Sequence, residues 1–184
     1  AITLALCAEP FLLAWTGDKT LSKQTAPILS LYAMGNGILT IAAFPYYLQY
    51  AKGNLRLHLI GNAIFIAILL PTIIWATINY KGIGAGYVWL GMNCLTFFAW
   101  LPLVHYKFAP EIMWKWYTKD ILPIVLSMLA MGILLSPAVE LFSGRLVQLL
   151  IMTLIGTTLL IIGTLASSVF RKKLFEFLTK FKYL

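Results

Sequence analysis

The sequence predicts an all-α fold, a polytopic membrane helical bundle, and three observations carry that prediction. Of 184 residues, 61% are hydrophobic and 11% charged, against about 25% charged in an ordinary soluble domain; mean hydropathy is +0.88. Five intervals carry no charge: Gln24 to Ala51, Leu57 to Tyr80, Gly82 to Tyr106, Ile121 to Val139 and Leu146 to Phe170. A bilayer core is crossed by about 20 apolar helical residues. Finally, Lys and Arg alternate between successive connections, as they do when short loops lie on opposite membrane faces. In lipid the backbone must satisfy its own hydrogen bonds, which leaves helices or closed barrels, and apolar runs of this length exclude barrel strands of about ten residues.

The elements follow in order. Residues 1–15, AITLALCAEPFLLAW, read as part of a transmembrane helix that Trp15-Thr-Gly-Asp closes. The segment lacks an initiator Met and the basic start and cleavage pattern of a signal peptide, so the chain is expected to be the carboxy-terminal part of a longer protein. Ala26-Pro27 opens the next span, 27–50, because proline near a helix start gives up no needed donor. Spans 57–79 and 83–105 are joined by YKGIGAGY, Tyr80 to Tyr87, a tight turn whose three glycines let the second helix start close to a neighbour. Trp114, Trp116 and Tyr117 among Lys115 and Lys119 read as an interfacial segment ahead of a short span, 121–136. The last span, 146–169, passes into a basic amphipathic tail, 170–184, with Leu174, Phe177, Leu178 and Phe181 on one face and a place on the membrane surface. Cys7 and Cys94 have neither pairing logic nor metal spacing and read as packing residues.

The loops sort into two sides. Lys19, Lys23, Lys81 and Arg145 fall on one; Lys52, Arg56, Lys107, Lys115, Lys119, Arg171, Lys172, Lys173, Lys180 and Lys182 fall on the other. The division is 4 against 10, so the second side, with the carboxy terminus, is expected to be cytoplasmic. The net charge of +8 then reflects topology and attraction to membrane lipid rather than a nucleic-acid groove, for which little soluble surface exists.

Polar chemistry concentrates in one stretch, PYYLQYAKGNLRLHLIGN, Pro45 to Asn62, where two apolar spans meet. Gln49, Lys52, Arg56 and His58 lie within it, and His105 and Lys107 close a different span on the same side. Two histidines with three cations form either an ordinary interfacial cluster or an anion-receiving mouth, since Arg and Lys bind phosphate oxygens by charge-assisted hydrogen bonds. Pro45 and Pro71 interrupt spans and act as fixed bends or as hinges. Asn36 and Thr40, and the stripe Trp89, Asn93, Thr96 and Trp100, serve as helix–helix glue or line a cavity. Glu9 falls roughly 12 Å from its helix end at about 1.5 Å per residue, at hydrocarbon depth, where a carboxylate is either a packed, neutralised group or an ion-coupling site.

The run APILSLYAMGNGILTIAAFPYYLQYAKGNLRLHLIGN, with the following proline-containing helix and GIGAGYVWLGMN, resembles the second lobe of a bacterial polysaccharide flippase. The family is the O-antigen, or lipid-linked oligosaccharide, type of the multidrug/oligosaccharidyl-lipid/polysaccharide exporter superfamily. The features that carry the resemblance are Trp15-Thr-Gly-Asp at a helix exit, Pro45 with Leu48-Gln49 and Lys52-Gly53 at an inner turn, and Gly82 with Gly84-Ala85 opening the next helix. They span about Pro10 to His105. The resemblance implies a two-lobe transporter of twelve to fourteen helices that rocks about a central cavity. It would carry an undecaprenyl-pyrophosphate-linked sugar chain to the periplasmic leaflet of the bacterial inner membrane. The implied partners are the lipid-linked oligosaccharide, membrane lipid, the missing amino-terminal lobe and a polysaccharide polymerase; no cofactor, metal or catalytic residue is implied.

Two other functions compete. A membrane-embedded glycan transferase or polymerase would need a convergent acid/base or metal-binding set, and the six acidic residues, Glu9, Asp18, Glu111, Asp120, Glu140 and Glu176, are scattered. A drug or cation exporter of the same superfamily would favour acidic residues facing its cavity, where Arg and Lys dominate here. The expectation is therefore a transporter and not an enzyme.

Overall fold

The computed structural model describes residues 1–142 and 144–181. Every regular element among them is helical. The first two are short: α1 (Ile2–Leu6) and α2 (Ala8–Thr16) are separated by a break at Cys7. Next comes α3 (Lys19–Ile41), which starts well ahead of Pro27 because Asp18 is an effective N-cap. Its carboxylate accepts from the backbone N–H of Thr20 at 2.8 Å and of Leu21 at 3.0 Å, pairing donors that a helix start otherwise leaves open. Pro27 is thus carried inside the helix. A second break falls at Ala42, before α4 (Ala43–Ala51). Pro45 has no N–H for the carbonyl of Ile41, so the helical ladder is interrupted there.

The longest helical run, α5 (Arg56–Leu95), turns back on itself at Lys81, whose φ of 56° and ψ of −148° are not helical. Uninterrupted, residues 61 and 100 would stand about 58 Å apart; instead a Cβ added to Gly61 would fall 2.5–2.6 Å from the Trp100 ring. The first arm, 56–80, and the second, continuing through α6 (Leu101–Phe108), therefore form a hairpin. Two π-helical segments, Thr96–Trp100 and Trp116–Ile121, each end two residues before a proline, Pro102 and Pro123, with a leucine between. The N–H of Leu101 reaches Thr96 O and that of Leu122 reaches Tyr117 O, the wider spacing that absorbs proline's missing donor. Between and after them lie α7 (Pro110–Lys115), α8 (Leu122–Leu135) and a 3₁₀ turn at Ser136–Val139, then α9 (Arg145–Ala166) and α10 (Ser168–Phe181).

Four of these helical stretches among the described residues are long and apolar enough to cross a membrane: Lys19–Ala51, Arg56–Phe108, Pro110–Val139 and Arg145–Ala166. The protein is a multi-pass, membrane-embedded helical protein. The second stretch contains the reversal at Lys81, so the sequence-derived spans 57–79 and 83–105 are its two arms. Polar side chains along the first arm bond their own helix: Thr72 Oγ1 donates to Ile68 O at 2.6 Å, Thr77 Oγ1 to Ile73 O at 2.7 Å and Asn79 Nδ2 to Trp75 O at 2.8 Å. Such pairing lets a helix face hydrocarbon without an open donor.

Small residues set the packing. α3 runs parallel to the second arm of α5, with Ile28 on Gly82, Leu31 on Gly86 and Trp89 on Gly35, where an added Cβ would lie 2.8, 3.0 and 2.6 Å from the facing side chain. α2 runs antiparallel to α3, and Ser30 Oγ donates to Ala5 O at 2.7 Å. A second core joins Cys7, Val139, Met152, Ile155 and Leu159, where α9 returns along α8 with Gly163 against Met128 and Gly132 against Leu6 and Leu159.

Candidate functional site at the Gln49 to His58 hairpin

The turn between α4 and α5 is built by glycine and asparagine. Gly53, at φ 65°, takes the left-handed conformation that costs glycine least, its N–H reaching Tyr50 O at 2.9 Å. The Asn54 N–H reaches Gln49 O at 3.1 Å, and Asn54 Oδ1 accepts from the Arg56 N–H at 3.2 Å. Lys52 and Arg56 are thereby held on the two flanks of the turn, both exposed.

Behind the turn lies a cavity of about 370 Å³ between α4, the first arm of α5 and the Thr96–Val104 region. Tyr46, Gln49, His58, Asn62, Phe65 and Trp100 are among its lining residues, as is Pro45. Gln49 is 2% exposed. Its Nε2 donates to Pro45 O at 3.2 Å, while Oε1 is buried and has no hydrogen-bond partner. An unpaired buried acceptor of this kind costs about 1–3 kcal/mol. His58 Nε2 lies 3.1 Å from Asn62 Nδ2, one helical turn on, and its ring sits 4.6 Å from that of Tyr46.

The structure divides the sequence-predicted site residues. Gln49, Lys52, Arg56, His58 and Pro45 come together. His105 is fully buried, stacked on Trp116 at 4.7 Å and on Phe44 at 6.0 Å, with Nδ1 3.0 Å from Leu101 O and Nε2 unpartnered. Trp116, in the segment expected at the membrane interface, is buried in this aromatic stack, Trp114 is exposed, and the Tyr117 hydroxyl donates to Phe97 O at 3.0 Å. Lys107 is exposed with Nζ 6.0 Å from the Phe108 ring. Asn93 is 1% exposed, donating to Trp89 O at 2.8 Å, beneath Gly35 and outside the cavity lining. Pro71 is exposed in an unbroken part of the first arm, beyond the cavity. Glu9 is exposed in the first turn of α2, just past the break at Cys7. Asn36 and Thr40 are also exposed, with Thr40 Oγ1 donating to Asn36 O at 2.9 Å.

Contacts sort the loops into two ends as well. The aromatic stack joins α4 to α6 and Trp116, and the Ser168 hydroxyl donates to Asp120 Oδ1, so the hairpin, 105–120 and the start of α10 share one end. Across the bundle, the Arg145 guanidinium lies on Gly17. In α10 Arg171, Lys172 and Lys173 are exposed; Lys182 and the side chains of Phe177, Leu178, Lys180 and Phe181 lie outside the described residues, and with them most of the expected apolar face.

Asn62, Phe65, Tyr46 and the close Gly61–Trp100 approach were missed by the sequence reading of the site. The i, i+4 spacing of His58 and Asn62 was a usable signal for the first of these. The others depend on how the arms of the α5 hairpin cross. Comparison with protein-family models, curated proteins and solved structures gives no match.

Proposed function

We propose that the chain is the carboxy-terminal part of a flippase, the second lobe of a two-lobe transporter that moves a lipid-linked oligosaccharide across the bacterial cytoplasmic membrane by alternating access. One observation supports this best: at one end of a membrane-embedded bundle, two exposed cations, Lys52 and Arg56, flank a polar set of buried Gln49, half-buried His58 and exposed Asn62. By the distribution of Lys and Arg this end faces the cytoplasm, where a pyrophosphate headgroup would be collected. Arg56 offers a planar fork for two phosphate oxygens and Lys52 a mobile point charge. Lys107 adds charge at the same end. His105 and Asn93 act in this reading by packing, being enclosed away from the headgroup.

The test is complementation of a flippase-deficient strain by the full-length protein, scored by surface polysaccharide with membrane level and orientation checked. Arg56→Ala should reduce transport tenfold or more, because a charge-assisted hydrogen bond contributes about 1.5–3 kcal/mol. Arg56→Lys should be partly tolerated. Normal transport by Arg56→Ala at normal abundance would make Arg56 a topological anchor and sink the headgroup reading. Glu9, a carboxylate exposed on an apolar helix, is the ion-coupling group in this reading; Glu9→Gln should abolish the ion dependence of flipping while leaving insertion intact, and unchanged ion dependence would remove it.

A further inference from the structure

Where α10 meets the 116–121 segment, two elements bring cations to one place. α9 ends at Ser167, whose extended backbone, φ −66° and ψ 126°, breaks the helix and lets α10 start on a new axis. The Ser168 hydroxyl then donates to Asp120 Oδ1 and fixes that start against the segment. Lys119 adjoins Asp120, with Lys115 one turn before it, and Arg171 and Lys172 lie one turn beyond Ser168; all four cations are exposed, whereas Asp120 is half-buried. Lys115 has Glu111 four residues away and Lys172 has Glu176, the spacing at which opposite charges meet on a helix. Lys119 and Arg171 have no carboxylate three or four residues away, and Asp120, next in sequence to Lys119, points elsewhere around the helix. The two cations nearest the contact between the elements are thus the two that lack a helical counter-charge.

Below the cations the surface is apolar. Leu122, Leu126, Leu129 and Ile133 form an exposed stripe on α8, spaced three and four residues apart as on one helix face. It runs for roughly 16 Å at about 1.5 Å per residue, the depth of one leaflet of a hydrocarbon core about 30 Å thick. Trp114, 70% exposed beside Lys115, sets the cations at the level of the membrane–water boundary. The stripe is built of large branched side chains, whereas the seams that α8 and α9 form with their neighbours are closed on Gly132 and Gly163. Small residues are what let helices approach in lipid, so the stripe suits a flexible chain better than another helix.

We propose that this junction binds an anionic phospholipid, its phosphate held between Lys119 and Arg171 and one acyl chain lying along Leu122, Leu126, Leu129 and Ile133. Arg171 supplies a planar fork for two phosphate oxygens and Lys119 a mobile point charge. Basic sites between helices at the cytoplasmic side hold lipid headgroups in this way. The site stands apart from the Gln49 to His58 hairpin and holds whether or not that hairpin collects a pyrophosphate.

The experiment is native mass spectrometry of the whole chain in detergent micelles, with dioleoyl phosphatidylglycerol and dioleoyl phosphatidylcholine in competition. The two probes share their chains and differ in headgroup charge, and both faces of the protein are open to them. Phosphatidylglycerol should saturate one site per chain with a preference of roughly tenfold, the size expected of a few cations at a membrane surface. Lys119→Gln with Arg171→Gln should bring the preference within about twofold. Lys173→Gln, on a different face of α10, and Lys23→Gln, at the Gly17 end, remove the same charge and should leave it unmoved. Glycerol 3-phosphate should not displace the lipid, because it lacks the chain that lies on α8. Equal binding of the two lipids by the unmodified chain overturns the proposal. So does an equal loss from Lys173→Gln and Lys23→Gln, which would mean diffuse attraction, or displacement by glycerol 3-phosphate, which would make the junction a site for free phosphate. The lipid competition and the glycerol 3-phosphate arm need no variant, so a double substitution that fails to insert does not shelter the proposal.

Discussion

At the Gly17 end of the bundle, polar groups are paired close to the chain that carries them. Asp18 takes two backbone donors of α3, the Ser22 hydroxyl donates to Asp18 O at 2.6 Å, and the Arg145 guanidinium lies at the carboxy-terminal end of α2, where a cation complements the helix dipole. At the hairpin end, the buried groups Gln49 and His105 each keep one atom without a partner. Aromatic side chains lie at both ends, stacked as Phe44 with buried His105 and Trp116 near the hairpin and exposed as Trp15, Trp75 and Tyr80 at the other. Two ends that meet the same kind of boundary between hydrocarbon and water are therefore built differently. One is finished as a helix terminus should be, and the other stores unsatisfied polar atoms beneath a cationic turn. Buried polar atoms without partners cost stability; among the described residues Gln49 Oε1 and His105 Nε2 lie at the hairpin end and Trp89 Nε1 and Asn93 Oδ1 where α3 packs on the second arm of α5.

The comparison can be broken most directly by sidedness. A single cysteine placed at Lys19 or Lys81 should be labelled by an impermeant reagent from outside intact cells, and one at Arg56 or Lys173 should be spared, an all-or-none contrast. The opposite pattern would turn the hairpin outward and remove the reason for expecting a cytoplasmic headgroup there.

The next effect concerns the contact that holds α3 to the second arm. Gly35→Val places a branched side chain where the Trp89 ring lies and should lower stability by about 1–3 kcal/mol through overpacking, read as resistance to unfolding in SDS. A neutral result would show that Trp89 moves freely and that this interface is loose. The smallest expected effect sharpens the contrast between the ends. His105→Leu removes an unpartnered ring nitrogen from an aromatic stack and should leave stability unchanged or raise it by up to about 1–2 kcal/mol. A loss of more than about 1 kcal/mol would mean that His105 Nε2 has a partner in the membrane, and the hairpin end would then hold one unsatisfied group fewer.

Much of the helical order was legible in the sequence because charge-free intervals and loop cations report local facts. The reversal within Tyr80 to Tyr87 falls at Lys81, and the hairpin around Gly53 falls where the polar residues cluster. Helix limits were less legible. Ala26-Pro27 signals a helix opening in the sequence, but the Asp18 cap supplies a stronger start upstream and Pro27 is carried inside the helix. Trp116 shows the limit for single residues: an aromatic flanked by lysines gives no sign of what it packs on, and the approach of α6 and α4 sets that. The cavity was half legible, since Gln49 and His58 come from one stretch of chain. Of its aromatic wall, Tyr46 belongs to that stretch and Phe65 follows it on the same arm, whereas Trp100 comes from the other arm of the hairpin and depends on where Gly61 lets its ring cross.

The one-residue reversal at Lys81 bears on how the protein enters the membrane. With a single residue outside helical geometry between two long apolar arms, no loop exists that could be translocated ahead of the second arm. In the topology proposed above, the arms would pass into the bilayer together, as one helical hairpin with Lys81 at its tip. For the same reason the tip offers a protease no extended segment to grip, and a tag inserted there would have to unwind one arm to gain the slack it needs.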